Sequence, residues 1–94
     1  MQLKFEWDNK KAISNGQKHG VTFEEASTVL SNFLSITIPD PLHPDLEERF
    51  VTIGLSDKQR LLVVVHTDRG STIRLISARV ATAHERKRYG THGN

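Results

Sequence analysis

The sequence predicts an α+β domain: two N-terminal helices, a four-stranded antiparallel meander sheet and a short C-terminal helix. Three observations carry this. Helix-capping signals stand near both ends of the chain. Four apolar or alternating segments lie between residues 35 and 78, each bounded by turn residues. The length of 94 residues suits one domain with one modest core.

The elements follow in order. Phe5-Glu6-Trp7 reads as a short extended lead-in. Asp8 is placed as an N-cap for a helix over residues 9–18, and Gly20 can close that helix in the left-handed conformation. Asn15-Gly16 weakens it, because Gly inside a helix costs about 1 kcal/mol against Ala. Thr22-Phe23-Glu24-Glu25 is a capping box, Thr at N-cap and Glu at N3. The helix it opens is expected to reach Asn32, with Phe23, Ala26, Leu30 and Phe33 on one apolar face. Residues 35–38 alternate as a strand that Pro39 stops, and residues 39–47 form a proline-rich loop. Val51, Ile53 and Leu55 share one face of a second strand over residues 49–55. Residues 56–59 turn the chain. Residues 60–66 are apolar on both faces and read as a central strand, and residues 71–78 form the fourth. Thr82-Ala83-His84-Glu85 is a second capping box, opening a basic helix that ends near Tyr89-Gly90. The domain spans residues 1–90, and residues 91–94 form a tail.

The hairpin at Thr67-Asp68-Arg69-Gly70-Ser71 admits two registers. A two-residue Arg69-Gly70 loop would force positive φ on Arg69. A three-residue loop of Asp68, Arg69 and Gly70 is preferred, and it puts His66 and Arg74 on one sheet face as diagonal neighbours. Arg79 joins Arg74 only if the strand ends or bulges near Ser77-Ala78; the sequence leaves that open.

Composition excludes several function classes. There is no cysteine, hence no disulfide framework, thiol nucleophile or thiolate metal site. No run of about 18 apolar residues spans a membrane, and the first residues lack a signal-peptide core, so the expected compartment is the cytoplasm. No P-loop, GxGxxG or HExxH occurs, and the five histidines have no metal-ligand spacing. No metal or cofactor is expected.

Charge is uneven. Residues 1–65 carry seven Lys/Arg against nine Asp/Glu, whereas residues 66–94 carry six against two. Five of those six are arginines, whose planar donor fork suits phosphate. The surface is either phosphate-binding or a solvated basic helix with strand-edge charges. His66, Arg74, Arg79, Glu47/Glu48, Arg69 and Tyr89 together suit metal-free RNA cleavage. There the 2′-OH needs a base, the phosphorane needs cations, and the leaving 5′-oxygen needs a proton. His66 is the one histidine set in a strand, and an imidazole is a natural acid or base. Each residue also has an ordinary structural reading: a strand-end histidine, arginines paired with the loop acids, Glu48 as a loop charge, and Tyr89 as a lid on the sheet edge.

Several ordered motifs point to a family. They are Phe5-Glu6-Trp7-Asp8, the run from Lys18-His19-Gly20 to Ala26, Pro39-Asp40, Glu47-Glu48-Arg49, Thr52-Ile53-Gly54, and Ile73 to Arg79 with Glu85 and Tyr89 beyond. Across residues 3–89 the chain resembles the BrnT toxins. The resemblance implies a RelE-like fold and an endoribonuclease that blocks translation. It also implies a small DNA-binding antitoxin of the BrnA kind, in a complex of two toxins and two antitoxins that represses its own operon. By motif match, Arg74 and Arg79 would hold the scissile phosphate and Glu48 would act as base or orienting carboxylate. His66 ranks lower, since that position also accepts aromatics in the family. Arg69, Arg86, Lys87 and Tyr89 are candidates for RNA contact. Gly16 stands where the family favours a helix former, which points to a kink. Two alternatives stay open: a non-catalytic RNA- or ribosome-binding module, and a co-repressor acting only with the antitoxin.

Overall fold

The computed structural model describes residues 3–40 and 48–92. The elements are β1 (Lys4–Glu6), α1 (Asn9–His19), α2 (Phe23–Leu30), β2 (Ile36–Pro39), β3 (Phe50–Leu55), β4 (Leu61–Arg69), β5 (Thr72–Val80) and α3 (Ala83–His92). The fold is α+β, as expected, but the sheet has five strands in the order β1-β5-β4-β3-β2. β2 to β5 form the antiparallel meander. The lead-in is itself a strand, β1, which pairs in parallel with β5 from Lys4↔Thr72 to Glu6↔Arg74 and makes the sheet mixed. Three residues are too few to carry a strand signal in the sequence.

Local chemistry explains the helices. The Asp8 side chain accepts from Lys10 N at 2.8 Å and Lys11 N at 3.4 Å, so it caps α1. Gly20 ends α1 with φ 68, and α1 is continuous through Gly16. The Thr22 hydroxyl accepts from Glu25 N at 3.1 Å and starts α2. That capping box is half formed, because the Glu25 carboxylate turns inward to Ser56 and Arg60 instead. α2 stops at Leu30, and Phe33 is 92% exposed rather than part of the apolar face. Pro39 is paired with Phe50 inside β2, which an edge strand allows because its outer side needs no N–H donor. α3 continues through Thr91 and His92, beyond the expected end. The loop expected over residues 39–47 falls, from 41 onward, outside the described residues.

The sheet is covered unequally. α1 and α2 pack on one face over Val21, Phe23, Leu62, Val64 and Leu75, all buried. Trp7 meets Phe23 edge-to-face at 5.8 Å. Full burial of such side chains contributes about 1.5–3 kcal/mol each. Asn15, itself buried, docks α1 on β5: its amide donates to Ala78 O (2.9 Å) and Val21 O (3.0 Å), and its carbonyl accepts from Ala78 N (3.0 Å). The other face carries a smaller cluster of Leu61, Val63 and Ala81, with Tyr89 of α3 against it. Among the described residues, α3 is the only helix that stands on that face, the open face of the sheet.

Candidate active site on the open face of the sheet

A register shift in the β4–β5 ladder sets the site. Pairing is regular from Leu62↔Val80 to Val65↔Ser77 and resumes at His66↔Leu75, leaving Ile76 without a partner. Ile76 is the extra residue of a β-bulge. Arg74 and Arg79 are five residues apart, which in an unbroken strand means opposite faces. The bulge absorbs one residue. Arg74 opposite Thr67, Ser77 opposite Val65 and Arg79 opposite Val63 therefore share the open face. The condition for bringing the two arginines together is met, one residue before Ser77. Their Cα atoms are then four ladder positions apart, about 13 Å.

The same register corrects the expected hairpin. Pairing continues to Arg69↔Thr72, so the loop is Gly70-Ser71 and not residues 68–70. Gly70, with φ 61, takes the first loop position, as glycine does in a type II′ turn, and Arg69 needs no positive φ. The diagonal pairing of His66 with Arg74 is consequently not formed. His66 faces the α1/α2 side, opposite Leu75, and is 2% exposed. Its Nδ1 lies 2.8 Å from Asp68 Oδ1, its Nε2 lies 2.7 Å from Thr52 Oγ1, and its ring stacks on Phe50. The sheet stands between this imidazole and the arginines.

On the open face, a cleft of about 390 Å³ is lined by Asp40 after β2, Arg49 before β3, Val65, Ser77 and Arg79 on the central strands, and Glu85 on α3. Asp40 N donates to Arg49 O at 2.8 Å and so ties the two cleft walls together. Glu85 grips Arg79 end-on: Nη1 donates to Oε1 and Nη2 to Oε2, both at 2.8 Å. Glu85 also completes the second capping box, accepting from Thr82 N at 2.9 Å while Glu85 N donates to the Thr82 hydroxyl at 3.2 Å. The hydrogen bonds from Arg79 hold the Glu85 carboxyl at about 2, well below the usual 4.5, with the Thr82 cap adding to the effect and burial opposing it. Glu85 in turn raises Arg79. Of the five guanidinium N–H groups, the end-on pair uses two and Val80 O takes one at 3.5 Å. Nε–H and the outer Nη2–H remain as an adjacent edge, the geometry of a bidentate phosphate contact.

The other expected residues are dispersed. Arg74 donates to Glu6 Oε2 at 2.9 Å across the β1–β5 pairing. Its acid partner is thus Glu6, and that of Arg79 is Glu85, rather than loop acids. Glu48 is exposed, next to Arg49. Arg69 is exposed at the end of β4, and Arg86 and Lys87 are exposed on α3. Tyr89 is half-buried, donates to Leu34 O at 3.3 Å and covers the small cluster as a lid. Sequence reading passed over Arg49, Asp40 and Glu85 as residues of one cleft. For Arg49 a signal existed, since it shares parity with Val51 and Ile53. Glu85 looked like a helix cap and no more. Among the described residues, no group of three or more His, Asp or Glu is placed to hold a metal ion. Among them, too, no helix is long and apolar enough to cross a membrane.

The architecture and cleft define a small α+β protein with an arginine-bearing cleft on the open face of its sheet. The family described as "Ribonuclease toxin, BrnT, of type II toxin-antitoxin system" matches residues 7–85. The crystal structure of the Brucella abortus ribonuclease toxin, BrnT, is similar with a TM-score of 0.63 and 27% identity, covering 86% of this chain and 99% of that one. No curated protein matches. The chain belongs to the BrnT family of ribonuclease toxins of type II toxin–antitoxin systems. That membership implies an antitoxin as its partner.

Proposed function

We propose that this chain is a metal-independent endoribonuclease that stops translation by cutting RNA at the open-face cleft. The observation that carries the reading is the bulge at Ile76, which sets Arg74 and Arg79 on one face beside Arg49. Cleavage by 2′-OH attack forms a bond from the 2′-oxygen to phosphorus and breaks the bond to the 5′-oxygen. The products are a 2′,3′-cyclic phosphate and a 5′-hydroxyl. The phosphorane between them carries extra negative charge, and prepositioned guanidinium groups stabilise it. Arg79, held by Glu85, presents its free edge to the scissile phosphate together with Arg49. Arg74, about 13 Å away, grips a phosphate further along the same strand. Glu48 at the rim or Asp40 in the cleft takes the 2′-OH proton, and water supplies the proton that the leaving 5′-oxygen takes up. His66 supports the strand from the far face. Arg69, Arg86, Lys87 and Tyr89 add contacts along the surface.

The antitoxin partner would be a DNA-binding protein of the BrnA kind, two copies with two toxins. Acidic and apolar side chains laid over the cleft would neutralise the arginines and exclude RNA. The setting would be the cytoplasm, with RNA free or on the ribosome.

The test is to induce the chain alone in bacteria and map RNA 5′ ends. New ends are expected, and they should vanish with Arg79→Ala and fall strongly with Arg79→Lys, which keeps the charge but loses the fork. Growth arrest without new ends would replace this reading with a non-catalytic RNA- or ribosome-binding module. No arrest would favour the co-repressor.

A further inference from the structure

We propose that α1 is a second RNA-binding element, taking the phosphates of nucleotides that flank the one at Arg79. The proposal rests on the reading of the open-face cleft as the RNA site, and it adds a path by which the strand leaves that cleft. α1 carries no acid, and of its cations Lys11, Lys18 and His19 line one cleft whereas Lys10 stands outside it. Residues 1–65 are net acidic, so this concentration is hidden in the sequence as a whole.

Docking by Asn15 aims the charge. Lys11, Asn15 and Lys18 are spaced i, i+4 and i+7 and lie on one stripe of the helix. Asn15 is fixed to Ala78 on β5, so the two exposed lysines flank the strand edge. No strand pairs with that edge there, because β1 pairs with β5 only as far as Arg74. A second cleft opens at the junction, lined by Lys11, Ser14, Asn15, Lys18 and His19 of the first helix region and by Ile76 and Ser77. None of its lining residues is acidic. Ile76 and Ser77 also line the arginine cleft. The bulge is therefore the shared wall between the two clefts, and a chain of phosphates can pass from Arg49 and Arg79, over Ile76 and Ser77, to Lys11 and Lys18. The two lysines stand about 10.5 Å apart along the helix axis, close to three phosphates at the ~3.4 Å rise of a stacked strand.

The test is a salt titration of binding to a 12-nucleotide single-stranded 2′-O-methyl RNA, followed by fluorescence anisotropy. This probe cannot be cut, so binding is read whether or not the chain is a nuclease. Each phosphate contact on a single strand contributes about 0.7 to the slope of log affinity against log salt. Lys11→Gln/Lys18→Gln should therefore lower the slope by about 1.4, with an affinity loss of roughly tenfold or more at low salt. Lys10→Gln/Lys58→Gln removes the same charge away from the track and should leave the slope in place. Lys11→Arg/Lys18→Arg should retain it. Thermal melts of each variant show that it is folded. An unchanged slope in Lys11→Gln/Lys18→Gln overturns the proposal, as does an equal fall in the Lys10→Gln/Lys58→Gln control. Absence of RNA cleavage by the wild type, with the slope difference intact, would remove the nuclease reading and leave the track standing.

Discussion

Replacing Glu85 by Gln isolates the clamp on Arg79. Glutamine keeps an oxygen for the Thr82 N–H, so the helix cap survives while the ionic grip is lost. The carboxyl drops from 4.5 to about 2 on folding, which corresponds to about 3.4 kcal/mol of coupling at ~1.4 kcal/mol per pH unit. The pair is partly open to solvent, with the Glu85 side chain 30% and the Arg79 side chain 40% exposed. Screening reduces the expected loss in Glu85→Gln to about 1–2 kcal/mol at pH 7. The pH dependence has a definite sign. A depressed carboxyl contributes fully above its unfolded value of 4.5 and loses that contribution as pH falls towards about 2. Urea unfolding of both proteins at pH 7, 5 and 3 should show a constant gap between pH 7 and 5 and less than half of it at pH 3. Other carboxylates titrate in both proteins and cancel in the difference. A gap as large at pH 3 as at pH 7 would refute the argument. In the wild type, Glu85 also fixes the Arg79 edge, so the variant should cut RNA more slowly at pH 7 even where it is fully folded.

Three further outcomes are expected. Asn15→Ala leaves the Ala78 N–H and two carbonyls without their partner, and should cost about 2–4 kcal/mol in urea unfolding; a loss below about 0.5 kcal/mol would contradict that role. Gly54→Ala places a Cβ 1.9 Å from Ser35 Oγ and 2.7 Å from Ser35 Cβ, so it should destabilise by about 1–3 kcal/mol, and pairing it with Ser35→Gly should recover most of the loss. His66→Phe keeps the stack on Phe50 but gives up the contacts to Thr52 and Asp68. It should lower the melting temperature by several degrees, at roughly 4–8 °C per kcal/mol, yet still cut RNA; loss of cutting at full stability would put the imidazole back in the chemistry.

The parts of the fold written in short-range signals were readable. Asp8, Gly20 and Thr22 act within a few residues of themselves, and the helix starts fall where those residues stand. The antiparallel meander followed from the run of apolar segments. What sequence could not supply depends on distant partners. β1 is a strand only because β5 offers its edge 68 residues later. Glu25 abandons its capping role because Arg60, 35 residues on, and Ser56 meet its carboxylate in a buried position. The hydrogen bond from Arg60 holds that carboxyl below its ordinary value. The choice of hairpin register misplaced His66. The hairpin closed further out than expected, at Gly70-Ser71, and this moved His66 to the opposite face from Arg74. The Arg74–Arg79 relation was legible only as a condition, since no residue type announces a bulge.

The unpaired Ile76 also bears on how chain length can drift. Separations of four and five positions between the two arginines are equivalent solutions: four in an unbroken strand, five with one residue set aside. A deletion at Ile76 would straighten the ladder and leave both guanidinium groups on the same side. An insertion there would turn Arg74 toward the packed helices, where Leu75 now lies buried. Relatives of this protein can thus lose a residue at this point of β5 and keep both arginines on one face, while gaining one would set a guanidinium group against the packed helices.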